Sequence, residues 1–245
     1  MNVCAVTDIG CQRKDNQDSC TFRQIGPDTV LLVVCDGMGG AQAGSVASSV
    51  ATSAFTESVE QALVGGVPGG RLDRERVLIT ACREANRRVH TLSLEKPEYE
   101  GMGTTLVAAL VRPDGVCVAN VGDSRCYLME NDSIRQVTVD HSLVQMLVDR
   151  GEITPAQARI HPQKNLITRA LGVDSHVQCD LSWLEVKPGG RLLLCSDGLT
   201  NVLEDDAILA LSTQEPDPEG VCRTLLERTL EQGAPDNVTV VLAQL

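Results

Sequence analysis

Four aspartates in this sequence stand at the ends of apolar segments, where a side chain can be held rigidly for chemistry. Asp36 closes the run VLLVVCD, Asp197 follows RLLLCS, Asp123 comes just after VCVANVG, and Asp236 directly precedes NVTVVL. Four carboxylates can share one place only when positive charge lies between them, and Mg²⁺ and Mn²⁺ are cations that prefer such oxygen ligands. The pattern therefore indicates a divalent-cation site, although each Asp-Gly or Asp-Ser pair taken singly is ordinary turn chemistry.

Zinc chemistry is not indicated. The sequence contains no C-x-x-C pair, and ligand spacing is also absent among its four histidines, which are His90, His141, His161 and His176. Several of the ten cysteines lie in or beside Val/Leu runs, where a free cysteine behaves as a small hydrophobic residue. A chain of this length can build a core without a disulfide framework. We therefore expect reduced thiols and a cytoplasmic location.

Composition argues against nucleic-acid and membrane partners. The 245 residues carry a formal net charge of −12, and aromatic residues make up only 2% of them. An acidic surface repels phosphate backbones and anionic lipids, and few aromatic side chains remain for stacking on bases. The sequence shows neither an apolar run long enough to span a bilayer nor a recognisable signal peptide. A protein of this charge that handles phosphate must recruit cations locally.

The elements that would position the aspartates follow an irregular order. Hydrophobic periodicity predicts three strands, two long helices at Ala43–Leu63 and Arg71–Leu94, and then four more strands. Those four, from Thr104 to Thr138, are linked by short turn sequences and are expected to form an antiparallel meander. Two strands, two helices and a last strand complete the chain, with a glycine-rich loop at 65–70 and a partly helical stretch at 140–170. This order favours a single α+β domain over residues 1–245, with helices outside antiparallel sheets.

The ordered motifs of the sequence are more specific than any single aspartate. In chain order they are Arg13-Lys14-Asp15-Asn16-Gln17-Asp18, Val34-Cys35-Asp36-Gly37-Met38-Gly39-Gly40, Gly103-Thr104-Thr105, Gly122-Asp123-Ser124-Arg125, Ser196-Asp197-Gly198 and Asp236-Asn237-Val238-Thr239. This series resembles that of the type 2C, metal-dependent protein serine/threonine phosphatases, and it is similar to their compact bacterial branch. The resemblance extends from about residue 3 to residue 244.

The resemblance implies a fold and a set of roles. The implied fold is a four-layer sandwich in which pairs of α-helices flank two antiparallel β-sheets, with a small mobile flap at about 141–171. Asp36 would bridge two Mn²⁺ or Mg²⁺ ions, the Gly37 carbonyl would bind one of them, and Asp197 and Asp236 would bind the other. The remaining implied roles are a third, weaker ion at Asp123 with Asp197 shared, ion or water contact by Asp18, and phosphate binding by Arg13.

The implied activity is hydrolysis of phosphoserine and phosphothreonine monoesters by a water that bridges the metals, in opposition to a serine/threonine kinase. Two cations and an arginine suit this chemistry, because phosphoryl transfer needs mainly positioning and charge stabilisation. At the position of Met38, many eukaryotic members of the family carry a histidine, which is their proposed general acid. The resemblance further implies phosphoprotein substrates, and we expect a monomer. Two alternatives stay open: a pseudophosphatase that acts as a binding module, and a phosphatase for small-molecule phosphates.

Overall fold

Two antiparallel β-sheets lie face to face at the centre of the molecule, and helices cover the outer face of each. This arrangement confirms the predicted α+β sandwich. The structure is a computed structural model and describes residues 1–40, 42–64 and 70–245. Most of the predicted glycine-rich loop, residues 65–69, lies outside the described residues. Within the described ranges, no helix is both long and apolar enough to cross a membrane.

The first sheet has five strands in the order β1-β11-β10-β7-β8. Their bounds are β1 Asn2–Asp8, β7 Arg125–Glu130, β8 Ser133–Gln136, β10 Arg191–Cys195 and β11 Val238–Gln244. The second sheet has the order β2-β3-β5-β6-β9, with the short strand β4 paired to the end of β3. Its bounds are β2 Asp18–Gly26, β3 Thr29–Met38, β4 Gly103–Thr104, β5 Leu106–Arg112, β6 Gly115–Val121 and β9 Asp180–Leu184. All the strand pairs are antiparallel.

The helices form one pair over the second sheet, a group over the first, and a small subdomain beside the sheets. Their bounds are α1 Ala43–Leu63, α2 Arg71–Glu95, α3 Leu143–Asp149, α4 Pro155–Arg159, α5 Asp197–Thr200, α6 Asp205–Gln214 and α7 Pro218–Glu231, and a 3₁₀ turn covers Pro97–Tyr99. Helices α1 and α2 pack on the second sheet, while α6 and α7 pack on the first. Helices α3 and α4 lie within the stretch that the sequence predicts to be helical in part.

Strand β3 shows how the layers are held together. Seven consecutive residues from Thr29 to Cys35 are buried. Because side chains alternate across a strand, Val30, Leu32 and Val34 pack into the core between the sheets, while Leu31 and Val33 pack beneath α1 and α2. A continuous apolar run is what a strand covered on both faces requires.

The predicted four-strand meander is wrong at one connection. Strands β5 and β6 form a hairpin in the second sheet, whereas β7 and β8 form a hairpin in the first. The sequence Gly122-Asp123-Ser124 therefore carries the chain from one sheet to the other and does not close a hairpin. Gly122 makes this possible with φ +103°, a backbone conformation that L side chains rarely adopt. Beyond it, β7 pairs with β10, and β6 pairs with β9 on its free side.

Candidate metal centre

Asp18 and Asp36 enter the site from two paired strands. They face each other in the register of β2 and β3. Two hydroxyl groups donate to Asp18 Oδ2, at 2.7 Å from Ser196 Oγ and 2.6 Å from Thr239 Oγ1. The other oxygen of Asp18, Oδ1, is buried and has no hydrogen-bond partner. Asp18 is thus fixed by its outer contacts and keeps one carboxylate oxygen for a ligand.

Asp197 and Asp236 enter from the opposite sheet. Asp197 is the first residue of α5, two residues after β10 ends, and Asp236 lies just before the neighbouring strand β11. Asn201 Nδ2 donates to Asp197 Oδ2 at 2.8 Å, while Asp197 Oδ1 is buried without a partner. Asp236 Oδ1 accepts the backbone N–H of Asn237 at 2.8 Å. The two sheets therefore contribute carboxylates to one edge of the sandwich.

Gly37 cannot be replaced by a larger residue without moving backbone. An added Cβ would collide with the carbonyl oxygen of Gly44 at the start of α1 and would lie 2.7 Å from the carbonyl oxygen of Gln17. The Gly37 N–H also donates to that Gln17 oxygen at 3.0 Å. Three backbone segments consequently meet beside Asp36, and a side chain would fill the space among them.

Asp123 reaches the same region through the change of sheet at Gly122. Its side chain is 9% exposed. His141 makes two hydrogen bonds to Gly122, the residue before Asp123. The Gly122 N–H donates to His141 Nδ1 at 2.9 Å, and the His141 N–H donates to the Gly122 carbonyl at 3.0 Å. The other ring nitrogen of His141 lies 3.1 Å from Asp180 Oδ2. Both ring nitrogens of His141 are therefore occupied by contacts within the protein.

The carboxylates repel one another strongly. Burial, followed by the charges of Asp18, Asp197, Asp123 and Asp236, raises the pKa of Asp36 well above its usual range. Burial and then Asp197 raise the pKa of Asp123 to about 8. Burial raises the pKa of Asp18 to about 6 against the opposing hydrogen bonds from Thr239 and Ser196, and burial and Asp236 raise the pKa of Asp197. Such a group of buried carboxylates is stable in its charged form only with cations among them.

The donor set fits hard divalent cations. Among the described residues, no three His, Cys, Asp or Glu side chains are already drawn into a closed ligand set. The unpartnered oxygens of Asp18 and Asp197 are nevertheless buried at the same edge, and an orphaned buried carboxylate oxygen is costly unless a ligand satisfies it. All the available donors are oxygens, which suit Mg²⁺ and Mn²⁺ and do not suit a structural zinc ion.

Arg13 lies at the outer rim of this site. Its Nη2 is 2.6 Å from Asp236 Oδ2, and 51% of its side chain is exposed. The hydrogen bond with Asp236 raises the pKa of the guanidinium, and Asp36 and Asp197 add to the effect. Arg13 is thus a permanent cation beside the carboxylates with donors still open to solvent, which is suitable for gripping a phosphate.

A cleft of about 590 Å³ opens from Asp123 and Asp197 along the helical subdomain. Its far wall includes Val144, Val148 and Pro155. Thr154 caps α4, with a reciprocal capping box to Gln157. The predicted flap at 141–171 therefore borders the site, and the cleft is the space between this segment and the aspartates.

A comparison with known protein families identifies this arrangement. The family model described as protein phosphatase 2C matches residues 12–231. The chain belongs to the protein phosphatase 2C family. Its relatives include the serine/threonine protein phosphatase PstP of Mycobacterium tuberculosis, 39% identical over 245 residues, and the serine/threonine phosphatase stp of Listeria innocua, 35% identical over 241 residues. The match covers the whole of this chain but 45% of PstP, and 97% of this chain and 93% of stp.

A solved structure of a phosphatase 2C relative bears on the metals. The catalytic domain of PstP in complex with two manganese ions superposes with a TM-score of 0.85 at 38% identity, covering 99% of this chain and 97% of that one. The fold and family expected from the motifs are therefore confirmed. That relative holds two manganese ions in its solved structure.

Several residues at the aspartate edge of the sandwich have contacts that the sequence did not predict. Asn201 holds Asp197 and in turn accepts a hydrogen bond from Lys164 Nζ of the flap at 3.0 Å. Asn201 follows Asp197 by four residues, so helical spacing could have suggested the contact. Ser196 and Thr239 lie inside quoted motifs, but their joint grip on Asp18 depends on the pairing of β10 with β11, which no local pattern reveals.

Met38 packs against the backbone of strand β4. It pairs with Gly103 in the register of β3 and β4. A Cβ added to Gly103 would lie 2.6 Å from Met38 Cε and 3.0 Å from Val173 Cγ2. The methionine side chain therefore covers Gly103, and its thioether has no proton to donate.

Proposed function

We propose that this chain is a metal-dependent phosphatase that hydrolyses phosphoserine and phosphothreonine monoesters in proteins. The observation that carries the proposal is the cluster of buried, mutually repelling aspartates with unpartnered oxygens beside an exposed arginine. A phosphate monoester is a dianion, so a site for it must offer positive charge that this acidic chain otherwise lacks.

Each residue of the site has a role in this proposal. Asp36 and the Gly37 carbonyl would hold one ion, Asp36 would bridge to a second ion held by Asp197 and Asp236, and Asp123 would share Asp197 with a third, weaker ion. When bound, divalent cations lower the pKa of water and neutralise phosphoryl oxygens. These ions are Mn²⁺ or Mg²⁺ by donor chemistry.

The chain's own groups orient the reaction. Arg13 would grip the phosphate at two points from the rim, in the ground state and the transition state alike. Asp18 would accept a hydrogen bond from the attacking water, or contact an ion, through Oδ1, because Oδ2 is occupied by Ser196 and Thr239. Met38 cannot protonate the leaving oxygen, so that proton has to come from solvent or another acid.

We extend the proposal to organisation and setting. Residues 1–245 would form one catalytic domain, with 141–171 as its flap. The ten free cysteines support a reducing, cytoplasmic setting. Phosphoproteins and the serine/threonine kinase that modifies them would be its partners, it would act as a monomer, and nucleic acid and membrane would not be partners of so acidic a chain.

The test is phosphate release from phosphoserine and phosphothreonine peptides and from an aryl phosphate, with added Mn²⁺ and after chelation. We expect turnover of all three that requires the metal. Asp36→Asn should lower turnover more than about 100-fold, since a direct ligand should matter at least as much as an outer partner. Asp28→Asn, at the opposite end of the same hairpin, is the matched control and should match wild type.

Other outcomes would contradict this proposal in separate ways. A folded protein that binds Mn²⁺ and releases no phosphate from any substrate would be a binding module. Release from the aryl phosphate without release from either peptide would indicate a small-molecule phosphatase. Full activity after exhaustive chelation, with no metal detected by elemental analysis, would refute the metal mechanism.

A further inference from the structure

The motif Gly103-Thr104-Thr105 clamps the backbone of Asp36. Asp36 N–H donates to Thr105 Oγ1 at 2.9 Å, and the Asp36 carbonyl accepts from Thr105 N–H at 2.8 Å and from Thr104 Oγ1 at 2.8 Å. Both threonines are buried. The backbone donor and acceptor of Asp36 are thus both held by two adjacent residues, the last residue of β4 and the residue that follows it.

Thr105 also contacts the segment that carries Asp123. Its Oγ1 lies 2.7 Å from Ser124 Oγ, and Ser124 is completely buried. Its methyl group lies against Gly122, because a Cβ added there would be 2.6 Å from Thr105 Cγ2. One side chain therefore bonds the backbone of Asp36, bonds the residue after Asp123, and packs on the residue before it.

We propose that Thr105 and Ser124 are positioning residues that hold the Asp36 and Asp123 segments in fixed relation, so that cation binding at the two aspartates is coupled. The inference rests on the proposed function, which makes both aspartates cation ligands. Two carboxylates of like charge tend to move apart, and the buried link through Thr105 and Ser124 keeps their segments together. Outer partners of this kind typically change metal affinity 10–100-fold.

The test is calorimetric titration of Mn²⁺ into the chelator-stripped full chain. Thr105→Val keeps the shape of the side chain and removes the hydroxyl, and it should weaken Mn²⁺ binding about 10-fold or more. Thr105→Ser keeps the hydroxyl and should bind Mn²⁺ close to wild type. Thr56→Val is the matched control, because Thr56 is buried on α1 with no partner for its hydroxyl.

A double-mutant cycle tests whether the hydroxyl pair acts as one unit. Ser124→Ala should weaken Mn²⁺ binding in the same direction, and Thr105→Val/Ser124→Ala should be no weaker than Thr105→Val alone. If the losses of Mn²⁺ affinity in the two single variants add fully in the double variant, the two hydroxyls act independently and the proposal is overturned. If Thr105→Val does not fold, Ser124→Ala decides, because it removes the bond and leaves Asp36 N–H with its acceptor.

A merely structural role gives a different result. The unfolding midpoint of the stripped Thr105→Val protein would then fall while its Mn²⁺ affinity stayed at the wild-type value, which would overturn the proposal. Failure of the proposed function is seen separately. A wild type that releases no phosphate, together with the expected Mn²⁺ losses, would refute the phosphatase assignment and leave the coupling intact.

Discussion

Replacing Asp123 with a residue that cannot titrate should change how the stability of the chelated protein depends on pH. The pKa of Asp123 is about 8 in the folded chain, against an ordinary value of 3.8. A carboxyl whose folded pKa is raised stabilises the fold fully below its unfolded pKa, and that contribution is lost as the pH rises through the folded pKa. Between these values the folded chain holds one proton more than the unfolded chain. The free energy of unfolding should therefore fall as the pH rises.

The size of the effect follows from that proton. At about 1.4 kcal/mol per pH unit for one proton, raising the pH from 5 to 7 should lower the free energy of unfolding by on the order of 2–3 kcal/mol. For a chain of this size that is roughly 5–10 °C in Tm. Asp18, Asp36 and Asp197 have raised pKa values too, so the wild-type slope should be at least this steep.

The assay is urea unfolding of the chelated protein at several pH values between 5 and 7. Asp123→Asn cannot titrate, so the number of protons that its stability slope represents should be smaller than that of wild type by about one. Saturating Mn²⁺ should remove the slope, because the cation favours the charged carboxylates. Equal slopes for wild type and Asp123→Asn in chelator would refute the reasoning.

Three further substitutions test single contacts. Arg13→Ala should raise KM for a phosphopeptide more than it lowers kcat, because a grip made in both the ground and the transition state is uniform binding, and an unchanged KM would exclude that role. Lys164→Met removes the flap contact to Asn201 and should weaken Mn²⁺ binding measured by calorimetry, while equal affinity would show that Asn201 needs no support from the flap. Met38→His should raise kcat for a phosphoserine peptide, up to about 100-fold, and leave kcat for an aryl phosphate nearly unchanged, since only the poor leaving group needs a general acid. Equal changes with both substrates would place the acid elsewhere.

The strands and long helices were predictable because their signals are local. The run from Thr29 to Cys35 is apolar throughout and is buried on both faces, and Ala43–Leu63 forms a helix with the predicted bounds. Strand β9, Asp180–Leu184, is one of the two strands predicted after residue 170, whereas α5 was not predicted at all. Helix α5 has only four residues, too few for a periodic signal, and its first turn is fixed by contacts of Asp197 and Asn201.

The change of sheet at Gly122 could not be predicted, because turn residues show where a strand ends and not which strand it pairs with next. Gly-Asp-Ser is compatible with a hairpin and with a crossover alike. The choice is made by partners far along the chain: β6 takes β9 and β7 takes β10. This long-range choice also places the site, since a hairpin would have kept Asp123 within one sheet. The crossover instead brings it to the edge where Asp36 arrives from the second sheet and Asp197 from the first, and Thr105 bonds across that junction.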